Sequence, residues 1–289
     1  MQISSTGIRD TERELLNRGL AYVCQSGTKG APNQDDMCLI STENISVLGV
    51  FDGHGAHGHF CAYIVQQMLP KFLLANHSDM RTALTESFHF AGEALKDIAE
   101  KQGSYSAALS GTTATLVVVK NQQLYTGHVG DSRAVLARLS PKNILESIEL
   151  THDHTLSTES EKNRVLASKG EVRKADSSDI PRFYFKGTNY PGLAMSRSLG
   201  DEFCKPYGIS SQPDISAREI TERDLFVVVC SDGVWEKIGS SETVQIVHGF
   251  GKKRVQEAAR CLVDEAHKRW SDSAGDWCDD ITGIVYYLH

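Results

Sequence analysis

Four runs of apolar residues in this chain each abut an aspartate, and that pattern limits both the fold and the chemistry. Val47-Leu48-Gly49-Val50-Phe51 leads into Asp52-Gly53, and Phe226-Val227-Val228-Val229-Cys230-Ser231 leads into Asp232-Gly233. From the other direction, Asp279-Asp280 precedes Ile281-Thr282-Gly283-Ile284-Val285-Tyr286, and Asn33-Gln34-Asp35-Asp36 precedes Met37-Cys38-Leu39-Ile40. The runs have the length and composition of buried strands. A carboxylate at the end of such a strand is costly unless it is paired, hydrogen-bonded or bound to a cation. Several converging at one rim form an all-oxygen site that suits magnesium or manganese better than thiophilic metals. Gly53 has no Cβ, which leaves its carbonyl open to an ion. A single Asp-Gly after a strand is most often an ordinary turn. Four aspartate sites, each at an apolar segment, resist that reading.

Composition removes several other classes. Lys+Arg number 30 against 37 Asp+Glu, a formal charge of −7, the reverse of the basic stripe of a general nucleic-acid binder. No apolar run reaches the ~18–20 residues that span a bilayer. Met1-Gln2-Ile3-Ser4-Ser5-Thr6-Gly7 carries neither a secretory signal nor a myristoylation pattern. The seven cysteines are dispersed without a C-x-x-C pair, which reads as reduced thiols in a cytoplasmic, or also nuclear, setting. Cys230 closes an apolar run, where cysteine acts as a small hydrophobe. No cysteine opens a glycine-rich phosphate loop that closes on an arginine, so a thiolate phosphatase is disfavoured.

Neither an internal repeat nor a linker divides the chain, which reads as one domain over residues 1–289. Strands are predicted at Leu20–Cys24, Met37–Ser41, Ile45–Phe51, Thr112–Val119, Leu124–Val129, Ser132–Leu139, Asp224–Ser231 and Asp280–Leu288. Helices are predicted at His57–Leu74, Asp79–Lys101, Thr158–Lys169, Ser241–Gly249 and Lys252–Trp270. In the second helix Leu84, Phe88, Ala91, Leu95 and Ile98 share a face, with Asp79 as N-cap and Gly103 as stop. The stretch from 171 to 192 mixes charge with aromatics and is expected to be irregular. Long β segments interrupted by paired helices indicate an α+β layered fold with antiparallel sheets.

The motifs that carry chemistry occur in a fixed order. Phe51-Asp52-Gly53-His54-Gly55, Ser110-Gly111-Thr112-Thr113-Ala114 and Val129-Gly130-Asp131-Ser132-Arg133 come first. Thr151-His152-Asp153-His154, Ala194-Met195-Ser196-Arg197-Ser198-Leu199-Gly200-Asp201, Ser231-Asp232-Gly233-Val234-Trp235 and Asp279-Asp280-Ile281-Thr282 follow. The chain thereby resembles the metal-dependent serine/threonine protein phosphatases of type 2C, the PPM family, from about residue 20 to its end.

That resemblance implies a β-sandwich of two mostly antiparallel sheets flanked by pairs of helices, with two divalent cations, Mg²⁺ or Mn²⁺, at one end. Asp52 would bridge the ions, with the Gly53 carbonyl on one and Asp232 and Asp279 on the other. Asp35 would act mainly through metal-bound water, and Asp153 matches a position that, with Asp232, holds a weaker third ion in some members. Two such ions lower the pKa of a bridging water and neutralise charge on phosphoryl oxygens during in-line attack.

His54 is the candidate general acid for the departing serine or threonine oxygen, because its charge changes near neutral pH. His57 and His59 extend the cluster but lack the partner spacing of zinc motifs. Two departures from the family stand out. Gln34 replaces a common glutamate, and Lys29 is the nearest cation where many members place a phosphate-binding arginine. Lysine would hold phosphate as a point charge, without the guanidinium fork. Arg133 and Arg197 are expected to brace turns. The 171–192 segment is expected to form a flap beside the cleft. Lys252-Lys253-Arg254 reads as a solvated face rather than an import signal. The expected function is metal-dependent hydrolysis of phosphoserine and phosphothreonine in proteins by a monomer, with phosphoproteins as partners and no nucleic acid or membrane. The alternative is an inactive scaffold of the same fold.

Overall fold

Strand alternation builds the molecule in four layers. The structure, a computed structural model, describes residues 12–28, 32–76, 79–103, 105–174 and 180–289. In β3 (Ile45–His54), Val47 and Phe51 face helices, whereas Leu48 and Val50 face the second sheet. In β14 (Asp224–Cys230), Phe226, Val228 and Cys230 face helices, and Val227 and Val229 face the first sheet. Side chains alternate with a period of two, and here both faces are covered, so the sequence reads as an unbroken apolar run.

β3 lies in a seven-stranded sheet with β2 (Asp35–Ser41), β4 (Gly111–Thr112), β5 (Ala114–Lys120), β6 (Gln123–Val129), β12 (Leu199–Gly200) and β13 (Asp214–Glu219). β14 lies in a five-stranded sheet with β1 (Leu20–Gln25), β7 (Arg133–Leu139), β8 (Leu145–Glu149) and β15 (Ile281–Tyr287). Pairing within both sheets is antiparallel. At one end of the interface between them, Ser46 Oγ and Tyr286 Oη lie 3.1 Å apart.

A short helix, α1 (12–17), precedes β1. The first sheet is covered by α2 (Gly58–Ala75) and α3 (Met80–Gln102) through Phe60, Leu69, Leu84, Phe88 and Leu95. Asp79 caps α3 by accepting from the backbone N–H groups of Arg81 and Thr82 at 3.0 and 3.2 Å, and Gly103 ends it at φ +66°. The remaining helices are α4 (Glu159–Ala167), α5 (Asp232–Trp235), α6 (Ser240–His248) and α7 (Val255–Ala274). α6 and α7 cover the second sheet through Val244, Val247, Leu262 and Val263. This is the α+β sandwich that the motif order implied.

The stretch from 171 to 192 departs from its expected irregularity. β9 (Glu171–Lys174), β10 (Pro181–Tyr184) and β11 (Pro191–Leu193) form a three-stranded antiparallel sheet. Phe183, Val165, Leu193, Met195 and Ile209 give it a small core of its own. Strands of three and four residues, two of them opening on a proline, are too short to show a period. β8 and β13 also escaped prediction, because both are edge strands rich in charge, the composition that blunts a sheet edge.

Candidate metal centre

The alternation that packs the sandwich also aims its acids. Asp52 continues the Leu48 and Val50 face of β3 toward the seam between the sheets, and Asp232 opens α5 just past β14. Asp131 sits in the turn from β6 to β7, after Gly130 at φ +106°. One carboxylate oxygen from each of Asp52, Asp131 and Asp232 lies within 4.8 Å of the other two. Among the described residues this is the one such acidic group.

Asp35 stands across the β2–β3 register from Asp52, and its Oδ2 accepts from Ser231 Oγ at 2.7 Å. Asp279 lines the same cleft as Asp52, Gly53, His54 and Asp232, a cavity of about 760 Å³. Its neighbour Asp280 is a brace. Oδ1 accepts from the Gly27 N–H at 2.7 Å and Oδ2 from the Gln34 N–H at 2.9 Å.

Burial, reinforced by the charges of Asp232, Asp35, Asp279 and Asp131, holds Asp52 well above the usual carboxylate range. Burial does the same to Asp232, with Asp279 as its leading charged neighbour. Burial raises Asp35 to about 7 against the hydrogen bonds from Ser231 and Thr282, and it raises Asp131 to about 7 together with the Asp153 charge. Acids this close cannot all ionise unaided. Hard oxygen donors drawn together at a cleft are the donor set of a divalent cation, so these residues fit the metal that the motifs imply.

His54 is held from behind. Its Nε2 lies 2.6 Å from Asp201 Oδ2, and that oxygen also accepts from Ser198 Oγ at 2.6 Å. Lys205 Nζ donates to the Ser198 carbonyl at 2.7 Å. Nδ1 of His54 is the ring nitrogen without a partner among the described residues. Burial opposes a charged imidazole, but the charge and hydrogen bond of Asp201 outweigh it, and the His54 pKa is raised. Asp201 is correspondingly lowered, against burial, by His54.

Several expectations change against this geometry. Asp153 is not in the acidic group, because Arg133 engages both of its oxygens at 2.8 and 2.6 Å. The carboxylate beside Asp52 and Asp232 belongs to Asp131, whose place after Gly130 reads in the sequence as a turn. The signal was present: the Leu124–Val129 run also delivers an aspartate, displaced one residue by Gly130. Gly53 has a second reason for being glycine, since a Cβ there would lie 2.2 Å from the Gly58 carbonyl oxygen at the start of α2. Lys29 lies outside the described residues.

Gln34 has a definite task. Its Nε2 donates to the Gly55 carbonyl at 2.8 Å, bracing the turn that carries His54, and an ionised glutamate has no proton to give there. His57 and His59 flank Tyr105, with ring centroids at 5.6 and 6.1 Å. Arg197 engages Glu161 at 2.7 Å and Asp214 at 2.8 Å, a bracing role like that of Arg133.

The three-stranded sheet borders the cleft, contributing Arg182 and residues 191–193 to its lining, with Ile180 and Tyr190 just before its strands. Arg182 Nη1 donates to the Gly192 carbonyl at 2.8 Å, and among the described lining residues it is the only lysine or arginine. No helix among the described residues is long and apolar enough to cross a membrane.

Known proteins match this architecture. The sequence profile described as "Protein phosphatase 2C" matches residues 25–274. "Probable protein phosphatase 2C 72" of Arabidopsis thaliana is 32% identical over 293 residues, covering 96% of this chain and 88% of its own. "Probable protein phosphatase 2C 48" of Oryza sativa subsp. japonica is 34% identical over 321 residues, covering 99% and 89%. The crystal structure of a serine-threonine phosphatase 2C from Toxoplasma gondii superposes with a TM-score of 0.81 at 21% identity, over 93% of this chain and 94% of that one. Sandwich, acidic cleft and ordered motifs agree with these matches: the chain belongs to the protein phosphatase 2C family and is a metal-dependent serine/threonine protein phosphatase.

Proposed function

We propose that the chain removes phosphate from phosphoserine and phosphothreonine in proteins at a two-cation centre held by Asp52, Asp232 and Asp279. In this reading Asp35 supports the centre through solvent, the Gly53 carbonyl adds a ligand, and Asp131 extends the site toward a third, weaker ion. The observation that carries it is the meeting of Asp52, Asp131 and Asp232 within 4.8 Å at a cleft between the two sheets. Divalent cations, Mg²⁺ or Mn²⁺, supply positive charge for the phosphoryl oxygens and lower the pKa of water.

The protein's own groups do the rest. Arg182 pairs with the phosphate at the cleft wall. His54 gives a proton to the departing serine or threonine oxygen, and Asp201 fixes the ring at Nε2 and favours its charged form. Thiolate chemistry is disfavoured by the cysteines themselves. Burial pushes the Cys38, Cys61 and Cys204 thiols up to about 12, far from the low values that make a thiol reactive at neutral pH.

A chelator should abolish hydrolysis of a phosphothreonine peptide, and added manganese chloride should restore it. Asp232→Asn should lower kcat by roughly 10² or more while the circular dichroism spectrum stays unchanged. Full turnover in excess chelator, or near wild-type turnover by Asp232→Asn at saturating manganese, would overturn the reading.

A further inference from the structure

Beside its acids the cleft has a second chemical character. Trp277, in the turn between α7 and β15, lines it two residues before Asp279 and is 44% exposed. Its ring meets that of Trp270 edge-on, with centroids 4.9 Å apart and planes at 67°. Trp270 is buried, and its Nε1 donates to the carbonyl of Gly233, the residue after Asp232, at 2.7 Å. Lys237 Nζ lies 3.6 Å from the Trp270 ring centroid. The indole pair is thus fixed to the backbone of the metal centre. Just before β11 and β10, Tyr190 and Ile180 reach the same cleft, 51% and 39% exposed.

Catalysis of phosphate release by carboxylates and cations has no use for a half-exposed indole. Large aromatic rings in water at a functional cleft offer apolar area for a ligand to cover. Trp, Tyr and Arg are also the residue types that carry most of the energy in protein recognition, and Trp277, Tyr190 and Arg182 line this one cavity. The apolar lining is continuous with the acids, and Arg182 complements a phosphate. The occupant that satisfies all three features is a polypeptide segment with an anionic phosphoryl group and an apolar side chain close to it.

We infer that Trp277 and Tyr190 form a subsite for an aromatic or large aliphatic side chain within a few residues of the phosphorylated serine or threonine. The favoured substrates are then phosphoproteins whose phosphosite adjoins such a residue. This rests on the protein-phosphatase reading above.

The test is a set of phosphothreonine peptides identical except for one residue. Gly, Asp, Leu or Trp is placed in turn at each of the flanking positions, and turnover is assayed with manganese chloride alongside p-nitrophenyl phosphate. Wild-type kcat/KM should be about tenfold higher for Leu or Trp than for Gly or Asp at one position or more. Trp277→Ala and, separately, Tyr190→Ala should shrink that ratio to about twofold by raising KM on the apolar peptide, whereas Trp277→Phe should keep most of it. Equal kcat/KM across the wild-type series, or an unchanged ratio in both alanine variants, overturns the subsite. If the peptides and p-nitrophenyl phosphate are hydrolysed without preference, the phosphatase reading stands and the subsite alone falls. If none is hydrolysed, both fall.

Discussion

His54 and Asp201 show how much a single residue's role depends on what lies behind it. Asp201 lies 147 positions further along the sequence and 2.6 Å away in space. Asp201→Asn keeps the shape and removes the charge that favours the protonated ring. Because Asp201 raises the His54 pKa, its loss lowers that pKa, and the protonated acid disappears at a lower pH. The alkaline limb of kcat on phosphopeptides should therefore move to lower pH, with KM little changed; an unmoved limb would contradict the assignment. Arg182→Ala should raise KM for a phosphopeptide about tenfold, with Arg182→Lys recovering only part because lysine lacks the fork. At this scale Asp52, Asp232, Asp279 and His54 were legible, since each stands at the end of an apolar run or within a short ordered motif. Asp131 was not, because the glycine before it made a turn the simpler reading. The Asp201 brace was not, because nothing in a sequence records that two distant segments meet.

Among the elements, those with a full period or a cap were legible and the short ones were not. α3 runs from Asp79 to Gly103 as its apolar spacing and end signals require. The three-stranded sheet has no such signals; it packs through Phe183 and Leu193 on Val165 of α4, the helix that also carries an ion-pair knot. Glu161 of α4, only 3% exposed, accepts from Arg164, Arg197 and Ser196. Although burial alone would raise it, these partners hold its carboxyl far below the usual range. Its contribution to stability is thus complete above the unfolded glutamate pKa and is lost as pH falls toward the lowered folded value. Glu161→Ala leaves two arginines without their shared carboxylate and should cost about 2–4 kcal/mol in urea unfolding at neutral pH. A loss within experimental error would show the knot to be dispensable.

For the whole molecule, the formal charge of −7 conceals a local concentration of acid at the seam of the sandwich. Asp35 and Asp131 are raised to about 7 in the folded protein, against about 4 for an unfolded aspartate. The folded state therefore binds more protons than the unfolded one between those values. Without metal, stability should fall as pH rises from about 4 to about 7. Divalent cations compete with those protons, so manganese should raise Tm more at pH 7.5 than at pH 5.5. Equal stabilisation at the two pH values, measured by calorimetry, would contradict this linkage. A layered α+β fold was legible because long β segments are interrupted by paired helices, whereas the two-sheet sandwich was legible only through the resemblance that the ordered motifs carry.

The Ser46–Tyr286 contact gives the sandwich a mechanical asymmetry. Hydroxyls meet across the sheets at that end, while the other end gathers acids that cannot all ionise side by side without a cation. In metal-free protein at neutral pH, amide hydrogen exchange should be faster in Val50–Asp52 than in Ile45–Val47 of the same strand. Manganese should erase the gradient. The cations then act as a pin at the acidic end of the seam, matching the hydroxyl contact at the other.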